Sequence, residues 1–183
     1  KHPADWMTGG QGEHGAVLTS RIRLARNLRR QPYPGWAKRD QRAAALDLMR
    51  PAVEALPAMK GAFSHELGDL TSVQKQVLVE RHLISREHAA RGDGSAAVIG
   101  RRQTFSLMLN EEDHLRMQAI RPGLQLSAAF AALSELDREL ENSLEFAFDP
   151  ALGYLTTCPT NLGTGLRASA MLHLPGLVLS DQI

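Results

Sequence analysis

This sequence lacks the features of disulfide-stapled, membrane-spanning and nucleic-acid-binding chains. Cys158 is the only cysteine among its 183 residues, so no internal disulfide can form and a reducing, cytoplasmic location is expected. No apolar run approaches the roughly 20 residues of a membrane helix. The formal net charge is only +1, which gives no bulk attraction to nucleic acid. We therefore expect a cytoplasmic globular protein with neither membrane nor nucleic-acid partners.

Repeats and low-complexity tracts are also missing, and the length is typical of one domain. A chain of 183 residues buries about two-thirds of the surface that it exposes when unfolded. The start, Lys1-His2-Pro3-Ala4-Asp5-Trp6, has neither a Met nor an apolar core, so we expect no signal peptide and a piece excised from a longer chain. Residues 1–14 are predicted to be a flexible lead-in, and 15–183 one domain.

Hydrophobic patterning predicts a mixture of helices and hairpin strands. Val17–Arg26 alternates as a strand does, and Ala96–Ile99 with Thr104–Leu109 is typical of a hairpin. Apolar residues at three- and four-residue steps after Ser127 predict the clearest helix. The expected fold class is α+β with a mostly antiparallel sheet. Further predicted elements are a helix capped by Asp40 and kinked or interrupted at Pro51, a helix from Thr71 or Ser72, strands at Gly153–Cys158 and Ala168–Leu174, and a helix within Gly176–Ile183.

The most informative stretch is Asn110-Glu111-Glu112-Asp113-His114-Leu115-Arg116, which directly follows an apolar run. Adjacent acids repel, so one of them has a raised pKa unless a cation lies between them. A guanidinium is such a cation, because its planar fork of N–H donors matches carboxylates. The stretch therefore predicts a base that orients a guanidinium, beside a phosphate-binding Arg116. The alternative is a charged junction between a strand and a turn.

Two other segments add cationic and nucleophilic groups. Near the N-terminus, Thr19-Ser20-Arg21-Ile22-Arg23 carries two arginines that a strand would point to one face. Later, Cys158-Pro159-Thr160-Asn161-Leu162-Gly163-Thr164-Gly165-Leu166-Arg167 places a cysteine, a Gly-x-Gly turn and an arginine in order, and backbone at such a turn can approach an anion closely. The alternative for Arg21 and Arg23 is ordinary exposed strand residues. We expect solvated side chains at Arg26, Arg29 and Arg30.

Together the three segments closely resemble the phosphagen (ATP:guanidino) kinase family. Its hallmarks are an S-R-x-R strand, an N-E-E-D-H-L-R block and a C-P-[ST]-N-x-G-T-G-x-R block, and the last two match nearly letter for letter. Residues 78–85 and 167–175 are most similar to the bacterial protein-arginine kinases. The resemblance covers residues 15–183 and implies a curved, mostly antiparallel sheet flanked by helices, with the active site on its concave face. The family's R-G-x-x-G-E type segment does not follow, so the catalytic domain is expected to be incomplete at its C-terminus.

The resemblance implies an ATP-dependent phosphotransferase that phosphorylates the guanidinium of arginine residues in proteins. We expect no large helical N-terminal domain of the kind that metabolite-specific kinases carry, and this expectation favours a protein substrate. One alternative is a kinase of a free guanidino metabolite such as arginine, and another is a non-catalytic nucleotide-binding or regulatory module. ATP is the implied cofactor, with Mg²⁺ held mainly by the nucleotide and not by protein ligands. An activator protein, a link to protein-degradation machinery and homo-oligomer formation stay open.

The resemblance also assigns residues. Glu112 matches the catalytic glutamate, with Glu111 beside it, and Cys158 matches a reactive cysteine that supports the orientation and charge of the guanidinium; a lone Cys is otherwise a buried small hydrophobe. His82 is either near the adenine or a plain residue at a helix end, and His114 is expected to be structural. The predicted nucleotide-binding residues are Thr19, Ser20, Arg21, Ile22, Arg23, His82, Arg116, Arg167, Ala168, Ser169, Ala170 and Met171.

Overall fold

The structure is a computed structural model that describes residues 16–182, so the predicted lead-in at 1–14 lies outside the described residues. The strands in this part are β1 (Val17–Arg26), β2 (Phe63–Glu66), β3 (Ala96–Ile99), β4 (Phe105–Leu109), β5 (Leu115–Pro122), β6 (Phe148–Asp149), β7 (Gly153–Tyr154) and β8 (Leu166–Leu172). The helices are α1 (Arg39–Glu54), α2 (Ser72–Glu80), α3 (Arg86–Ala89), α4 (Leu126–Glu141) and α5 (Pro175–Leu179), and 3₁₀ turns lie at Pro57–Met59, Leu67–Asp69 and Pro159–Asn161.

Six strands form the main sheet in the order β2-β3-β4-β5-β1-β8, and every neighbouring pair is antiparallel. Strands β6 and β7 form a separate short hairpin. The prediction of an α+β fold with a mostly antiparallel sheet flanked by helices is therefore confirmed. Within residues 16–182, no helix is both long and apolar enough to span a bilayer.

One face of the main sheet is apolar and covered by helices. Directly paired residues of antiparallel strands share a face, so the register groups Ile22 and Leu24 of β1 with Ala119 and Met117 of β5. Helix α1 packs on β3 and β4, and α4 packs on β1 and β5. The buried cluster on this face, which we call the core face, includes Val98, Leu107, Leu109, Leu115, Met49, Val53, Ala129, Leu133 and Leu140.

The opposite face is divided between an apolar half and a polar half. Over β3 and β4, a smaller apolar cluster covers the sheet and consists of Leu67, Leu83, Ile84, Ala97, Ile99 and Met108. Over β5, β1 and β8, the same face carries Arg116, Arg21, Arg23 and Arg167. We call this second half the arginine face. Side chains alternate along β1, so Ile22 and Leu24 lie on the core face, and Arg21 and Arg23 lie on the arginine face.

The first helix differs from the prediction in its start and its continuity. Lys38, and not Asp40, occupies the N-cap position, and Asp40 lies in the first turn. Pro51 does not interrupt the helix, which continues to Glu54. A proline removes one backbone donor, but Met49 and Val53 on either side of it are completely buried in the core. This packing holds the helical turn together.

The remaining boundaries follow the predictions with small shifts. The hairpin of β3 and β4 is confirmed. Helix α2 begins at Ser72, one of the two predicted starts, and Thr71 is its N-cap. The strand predicted at Gly153–Cys158 was wrong beyond Tyr154, because the backbone that follows bonds to other segments: Thr157 N donates to Asp113 Oδ1 at 2.7 Å. Strand β8 spans Leu166–Leu172 and not Ala168–Leu174, α4 begins at Leu126, and α5 begins at Pro175.

Candidate active site

The arginines of the arginine face converge from three neighbouring strands. In the sheet register, Arg23 lies opposite Arg167 of β8, and Arg21 lies opposite Ser169. Arg116 enters from β5 opposite Ala25, and a small cleft is lined by Arg23, Arg116 and Arg167 together. Three guanidinium groups thus border one space, with the Arg21 guanidinium next to them.

Crowding of like charges is visible in the electrostatics of these side chains. Burial, followed by repulsion from Arg167 and Arg116, lowers the pKa of Arg21. Burial, then Arg21 and Arg167, lower the pKa of Arg23 to about 10. The Nε of Arg23 is buried and has no hydrogen-bond partner among residues 16–182. A buried donor without a partner is costly, and an anion in this cleft could supply the partner for Arg23 Nε.

Glu111 is a buried carboxylate with a full set of donors. Arg116 Nη1 donates to both of its oxygens at 2.8 and 2.7 Å, and Ser85 Oγ donates to Oε1 at 2.7 Å. The backbone N–H of Glu112 donates to Oε2 at 3.0 Å. Burial alone would raise the pKa of Glu111, but Arg116, this N–H and the Ser85 hydroxyl outweigh it and hold the pKa below its ordinary value. Glu111 is therefore a fixed anion.

Glu112 differs from its neighbour in exposure and in pKa. Its side chain is 41% exposed, and the one ion pair that it forms within residues 16–182 is long, 3.6 Å from Oε2 to Arg116 Nη2. Burial raises its pKa above the ordinary value, Arg116 opposes this, and Asp113 and Glu111 add to the rise. A raised pKa and an accessible oxygen are the properties of a general base. The two adjacent acids therefore have different roles available to them.

Asn110 fixes the backbone of the loop that carries Glu111 and Glu112, which we call the acid loop. The residue is fully buried and has a positive φ of 56°. Asn adopts this left-handed conformation more often than most residues do, whereas a β-branched residue would be strained in it. Its side-chain amide donates to the carbonyls of Arg42 and Gly94, both at 2.8 Å. The Asn110 N–H donates to the carbonyl of His114 at 2.8 Å. These bonds close the turn between β4 and β5 and aim the two glutamates at the arginine face.

Cys158 lies on a loop that runs beside the acid loop. The thiol is partly exposed, with Sγ 3.0 Å from Thr160 Oγ1, so it is not the buried small hydrophobe of the alternative interpretation. Thr157, the preceding residue, donates its hydroxyl to the carbonyl of Glu112 at 3.0 Å. The loop ends at Gly165, where a Cβ atom would lie 2.5 Å from the carbonyl oxygen of Ala25. Only glycine allows this close approach to β1.

A cavity of about 200 Å³ lies at the far end of the arginine face. Gln118 Nε2 donates to the carbonyl of His82 at 2.7 Å and fixes the segment that follows α2. Burial, and then repulsion by Arg21, lower the pKa of His82. The cavity has apolar and polar walls, formed by Thr19, Arg21, His82, Ile120, Ser169, Ala170 and Met171.

Some of the predicted nucleotide-binding residues point to the other side of the sheet. Ile22 is part of the apolar core, and Ala168 lies opposite it in the register. The Ser20 hydroxyl donates to the carbonyl of Gly123 at 2.6 Å and accepts from the N–H of Gln125 at 2.8 Å. For Ser20, Ile22 and Ala168, a role in nucleotide binding stays a prediction that their side-chain direction does not favour.

The expectation of a solvated Arg26 was wrong. Its Nε and Nη2 donate to the two oxygens of Asp137 on α4 at 3.1 and 2.6 Å. Its Nη1 donates to the carbonyls of Ala25 and Thr164, both at 2.9 Å. The guanidinium carbon lies 3.5 Å from the centre of the Tyr154 ring. The reason is strand alternation, which turns Arg26 to the core face, where α4 supplies its counter-ion.

Sequence reasoning missed several side chains that hold the site together. Ser85 binds Glu111, and Asn27 binds Asp113 and the backbone N–H of His114. A weak signal was available, because each of the two is a polar residue directly after a strand or an apolar pair. His114 is buried and accepts a bond from the N–H of Leu28 at 3.2 Å, and burial lowers its pKa to about 4. This agrees with the expectation of a structural histidine.

Metal ligands do not cluster in the part of the chain that the structure describes. Within residues 16–182, no group of three or more His, Cys, Asp or Glu side chains is arranged to hold a metal ion.

Known proteins match this chain along most of its length. The profile of the family described as ATP:guanido phosphotransferase, C-terminal catalytic domain, matches residues 46–183. A protein-arginine kinase of Halothermothrix orenii is 46% identical over 183 residues, which make up 100% of this chain and 52% of that protein. A protein-arginine kinase of Moorella thermoacetica is 46% identical over 180 residues, 97% of this chain and 51% of that protein. The chain spans about half the length of the curated relatives it matches.

Two solved structures with the same fold are a taurocyamine kinase and a lombricine kinase. The duplicated taurocyamine kinase from Schistosoma mansoni with bound transition state analog components aligns with a TM-score of 0.82 and 28% identity, over 90% of this chain and 24% of that chain. Lombricine kinase aligns with a TM-score of 0.77 and 28% identity, over 93% of this chain and 51% of that chain.

Proposed function

Because this chain belongs to the ATP:guanido phosphotransferase family, we propose that it transfers the γ-phosphoryl group of ATP to the guanidinium of arginine residues in proteins. The observation that carries the proposal is the pair of unlike glutamates beside the arginine face. Glu111 is buried and held as an anion, and Glu112 is accessible with a raised pKa. A positively charged acceptor and a polyanionic donor can be bound side by side there.

The arginine face fits the donor. A nucleoside triphosphate carries about four negative charges and is complemented by guanidinium groups, which bind phosphate oxygens bidentately. Arg23 has a buried Nε without a partner within the described residues, and a phosphate oxygen would satisfy it. We assign the phosphates to Arg21, Arg23, Arg116 and Arg167, and the nucleoside to the cavity lined by Thr19, His82, Ser169 and Met171. Mg²⁺ bound with the nucleotide would neutralise charge that develops on the phosphates.

Glu112 is the base in this proposal. A guanidinium is a poor nucleophile because it is protonated at neutral pH. One of its nitrogens forms a bond to the γ-phosphorus while the bond from phosphorus to the β–γ bridging oxygen breaks, so ADP leaves. The proton of that nitrogen passes to a Glu112 oxygen. The catalysis comes mainly from holding the nitrogen in line with the phosphoryl group.

Glu111 and Cys158 support the acceptor without forming bonds to phosphorus. Glu111 holds Arg116 through two hydrogen bonds, so it orients a phosphate-binding group. The Cys158 thiol is partly exposed, so it can contact an acceptor guanidinium that is held next to Glu112.

Phosphorylation of a free guanidino compound is the second candidate. It is favoured by the names of the structural neighbours, taurocyamine kinase and lombricine kinase. Their identity to this chain is 28%, against 46% for the protein-arginine kinases. The higher identity over the whole chain supports the protein substrate.

The test is transfer of label from ATP. The protein is incubated with ATP labelled in the γ-phosphate, together with either an arginine-rich protein or free arginine, and the products are separated before and after mild acid. Acid-labile label on the protein alone supports the proposal, since a phosphorus–nitrogen bond is cleaved by acid. Label on free arginine supports the second candidate. Binding of ATP without transfer to either acceptor leaves a nucleotide-binding module and contradicts both.

A further inference from the structure

The loop that carries Glu111 and Glu112 and the loop that carries Cys158 are joined by a set of partly buried hydrogen bonds, which we call the bracket. Thr157, which immediately precedes Cys158, donates its backbone N–H to Asp113 Oδ1 at 2.7 Å. It also donates its hydroxyl to the carbonyl of Glu112 at 3.0 Å. Thr157 is thus bonded both to Glu112, the proposed base, and to Asp113, the next residue.

Asn27 completes the bracket from the end of β1. Its amide Nδ2 donates to Asp113 Oδ1 at 2.6 Å and to the carbonyl of Leu155 at 3.1 Å. Its Oδ1 accepts from the N–H of His114 at 2.9 Å. Asn27 and Asp113 are both almost completely buried, so water does not compete for these bonds and their geometry is well defined.

We propose that Asn27, Asp113 and Thr157 are positioning residues that hold Glu112 and Cys158 at the separation at which one guanidinium contacts both. The inference rests on the proposed function and names what sets the acceptor geometry in it. None of the three needs to touch a substrate. These residues act through the two loops, because the bonds of the bracket join the acid loop to the cysteine loop and join both loops to Asn27 at the end of β1.

A positioning role and a merely structural role have different consequences. Loss of a structural hydrogen bond lowers the stability of the fold and leaves the rate of the remaining folded protein unchanged. Loss of a positioning bond lowers the turnover rate of folded protein, since a displacement of about 1 Å costs on the order of 100-fold in rate. Binding of ATP stays unchanged in either case, because the arginines lie on the strands and not on the bracket.

The first test separates the hydroxyl of Thr157 from its bulk. Thr157→Val removes the donor to Glu112 and keeps the backbone bond to Asp113, and Thr157→Ser keeps both. We expect kcat for phosphoryl transfer to fall about 10-fold in the valine variant and to recover in the serine variant. The dissociation constant for ATP should change less than about 2-fold. Thr71→Val, which removes the N-cap of α2 far from the bracket, is the matched control and should leave kcat unchanged.

The second test removes the acceptor that Asn27 and Thr157 share. Asp113→Ala deletes the carboxylate that accepts from Asn27 Nδ2 and from the Thr157 N–H, and should lower kcat on the order of 10- to 100-fold. Asp113→Asn keeps an Oδ1 that can accept both bonds. It should recover at least about 10-fold of the rate lost in the alanine variant. Thermal unfolding of all variants is measured beside the rates, at a temperature where each is folded.

A readout independent of turnover is the rate at which iodoacetamide alkylates Cys158. Asp113→Ala frees the cysteine loop and should change this rate several-fold, and Asp113→Asn should return it close to the wild-type value. Equal alkylation in all variants, or kcat that falls only in proportion to the fraction of unfolded protein, overturns the inference. If the wild type transfers no phosphoryl group, the proposed function fails, and alkylation alone then decides whether the bracket positions the loop.

Discussion

Arg23 and Arg26 are three residues apart on one strand, both have little exposure, and their surroundings are opposite. Arg26 on the core face has a carboxylate on two of its nitrogens, two carbonyls on the third and an aromatic ring against its plane. Arg23 on the arginine face is near other arginines, and burial, followed by repulsion from Arg21 and Arg167, lowers its pKa to about 10. The first is complete without a ligand, whereas the second has a buried donor left over.

Strand β1 contributes both to the packed core and to the candidate site. Successive side chains point to opposite faces, so a single sequence pattern supplies both the packed side and the site. On the core face, Arg26 has its partner Asp137 from α4. On the arginine face, the Nε of Arg23 is buried without a partner among residues 16–182, and under the proposed function a phosphate oxygen would bind there. Substitutions on the two faces should therefore have effects of different kinds.

The largest expected effect is the loss of phosphoryl transfer when Glu112, beside the arginine face, is replaced. Glu112→Gln keeps the shape of the side chain but cannot accept the proton, so we expect transfer to fall by about 10²- to 10⁴-fold. Affinity for ATP should change little, because the carboxylate does not belong to the arginine cluster. Label transfer and calorimetric titration with ATP measure the two quantities. An equal loss of both would refute its role as base, and an unchanged melting temperature is the control for folding.

The core face is tested by removing one partner of its buried ion pair. Arg26→Met leaves Asp137 without its cation, and we expect the free energy of unfolding to fall by about 3–5 kcal/mol. Burial already raises the pKa of Asp137, with Arg26 opposing that rise. Chemical denaturation gives the value.

The double variant Arg26→Met/Asp137→Leu is the control for that substitution. It removes both charges and should recover most of the lost stability, since an apolar pair of similar volume is often as stable as a buried ion pair. Failure to recover would mean that the bonds to Ala25 and Thr164, and not the charge pair, carry the contribution of Arg26.

Much of the fold followed from local patterns, but the partner of Arg26 did not. Alternation in β1 and the short turn between β3 and β4 involve neighbours in sequence, so their pattern is visible in the letters. Asp137 is 111 positions away from Arg26, and no local pattern connects them. The strand predicted at Gly153–Cys158 failed for the same reason, because the bonds of its second half go to distant loops.

The site shows the same division between what is local and what is not. The motif letters predicted which acids, arginines and cysteine to consider, and the structure brings their segments to one edge of the sheet. The difference between Glu111 and Glu112 could not be predicted, since it depends on Ser85 and on the direction of Arg116. Two identical neighbours in sequence became an anchored anion and an accessible acid through contacts made elsewhere.

Acidification tests the apolar half of the face that also carries the arginines. His88 is fully buried there, Nε2 lies 2.9 Å from the carbonyl of Ala96, and burial lowers its pKa to about 4. Glu111 opposes this shift, and Arg91 and Lys75 add to it. The unfolded chain takes up the proton near pH 6.5 and the folded chain only near 4, so stability is complete above pH 6.5 and falls as the pH decreases to 4, by about 3 kcal/mol.

Denaturation curves between pH 7 and pH 4.5 measure this loss, and His88→Gln is the comparison. The variant has no proton to take up at this position, so its curve should be flatter over the same range, even if its stability at pH 7 is lower. His114, with a pKa also lowered to about 4 by burial, contributes a similar slope to both proteins. Parallel curves for the two proteins would contradict the assignment to His88.

Arg23→Gln should not cause the loss of stability that is expected for Arg26→Met. It removes one cation from a crowded cluster, so repulsion on the arginine face decreases and stability should be unchanged or slightly higher. Affinity for ATP should fall by roughly 10- to 100-fold, since a hydrogen bond to a charged group contributes about 1.5–3 kcal/mol. Calorimetric titration and denaturation are measured on the same preparation. A loss of stability comparable to that of Arg26→Met would mean that the two arginines are not of different kinds.

The smallest effect is expected for an arginine that belongs to neither face. Arg29 and Glu145 form an ion pair with 2.5 Å between Nη1 and Oε1, and more than half of each side chain is exposed to solvent. Exposed pairs of this kind contribute about 0–1 kcal/mol, because water and salt screen them. Arg29→Ala should therefore leave both the free energy of unfolding and the affinity for ATP near the wild-type values. A measurable loss of ATP affinity would extend the phosphate-binding surface to the loop after β1, and the contrast between Arg23 and Arg26 would then no longer be set by strand alternation alone.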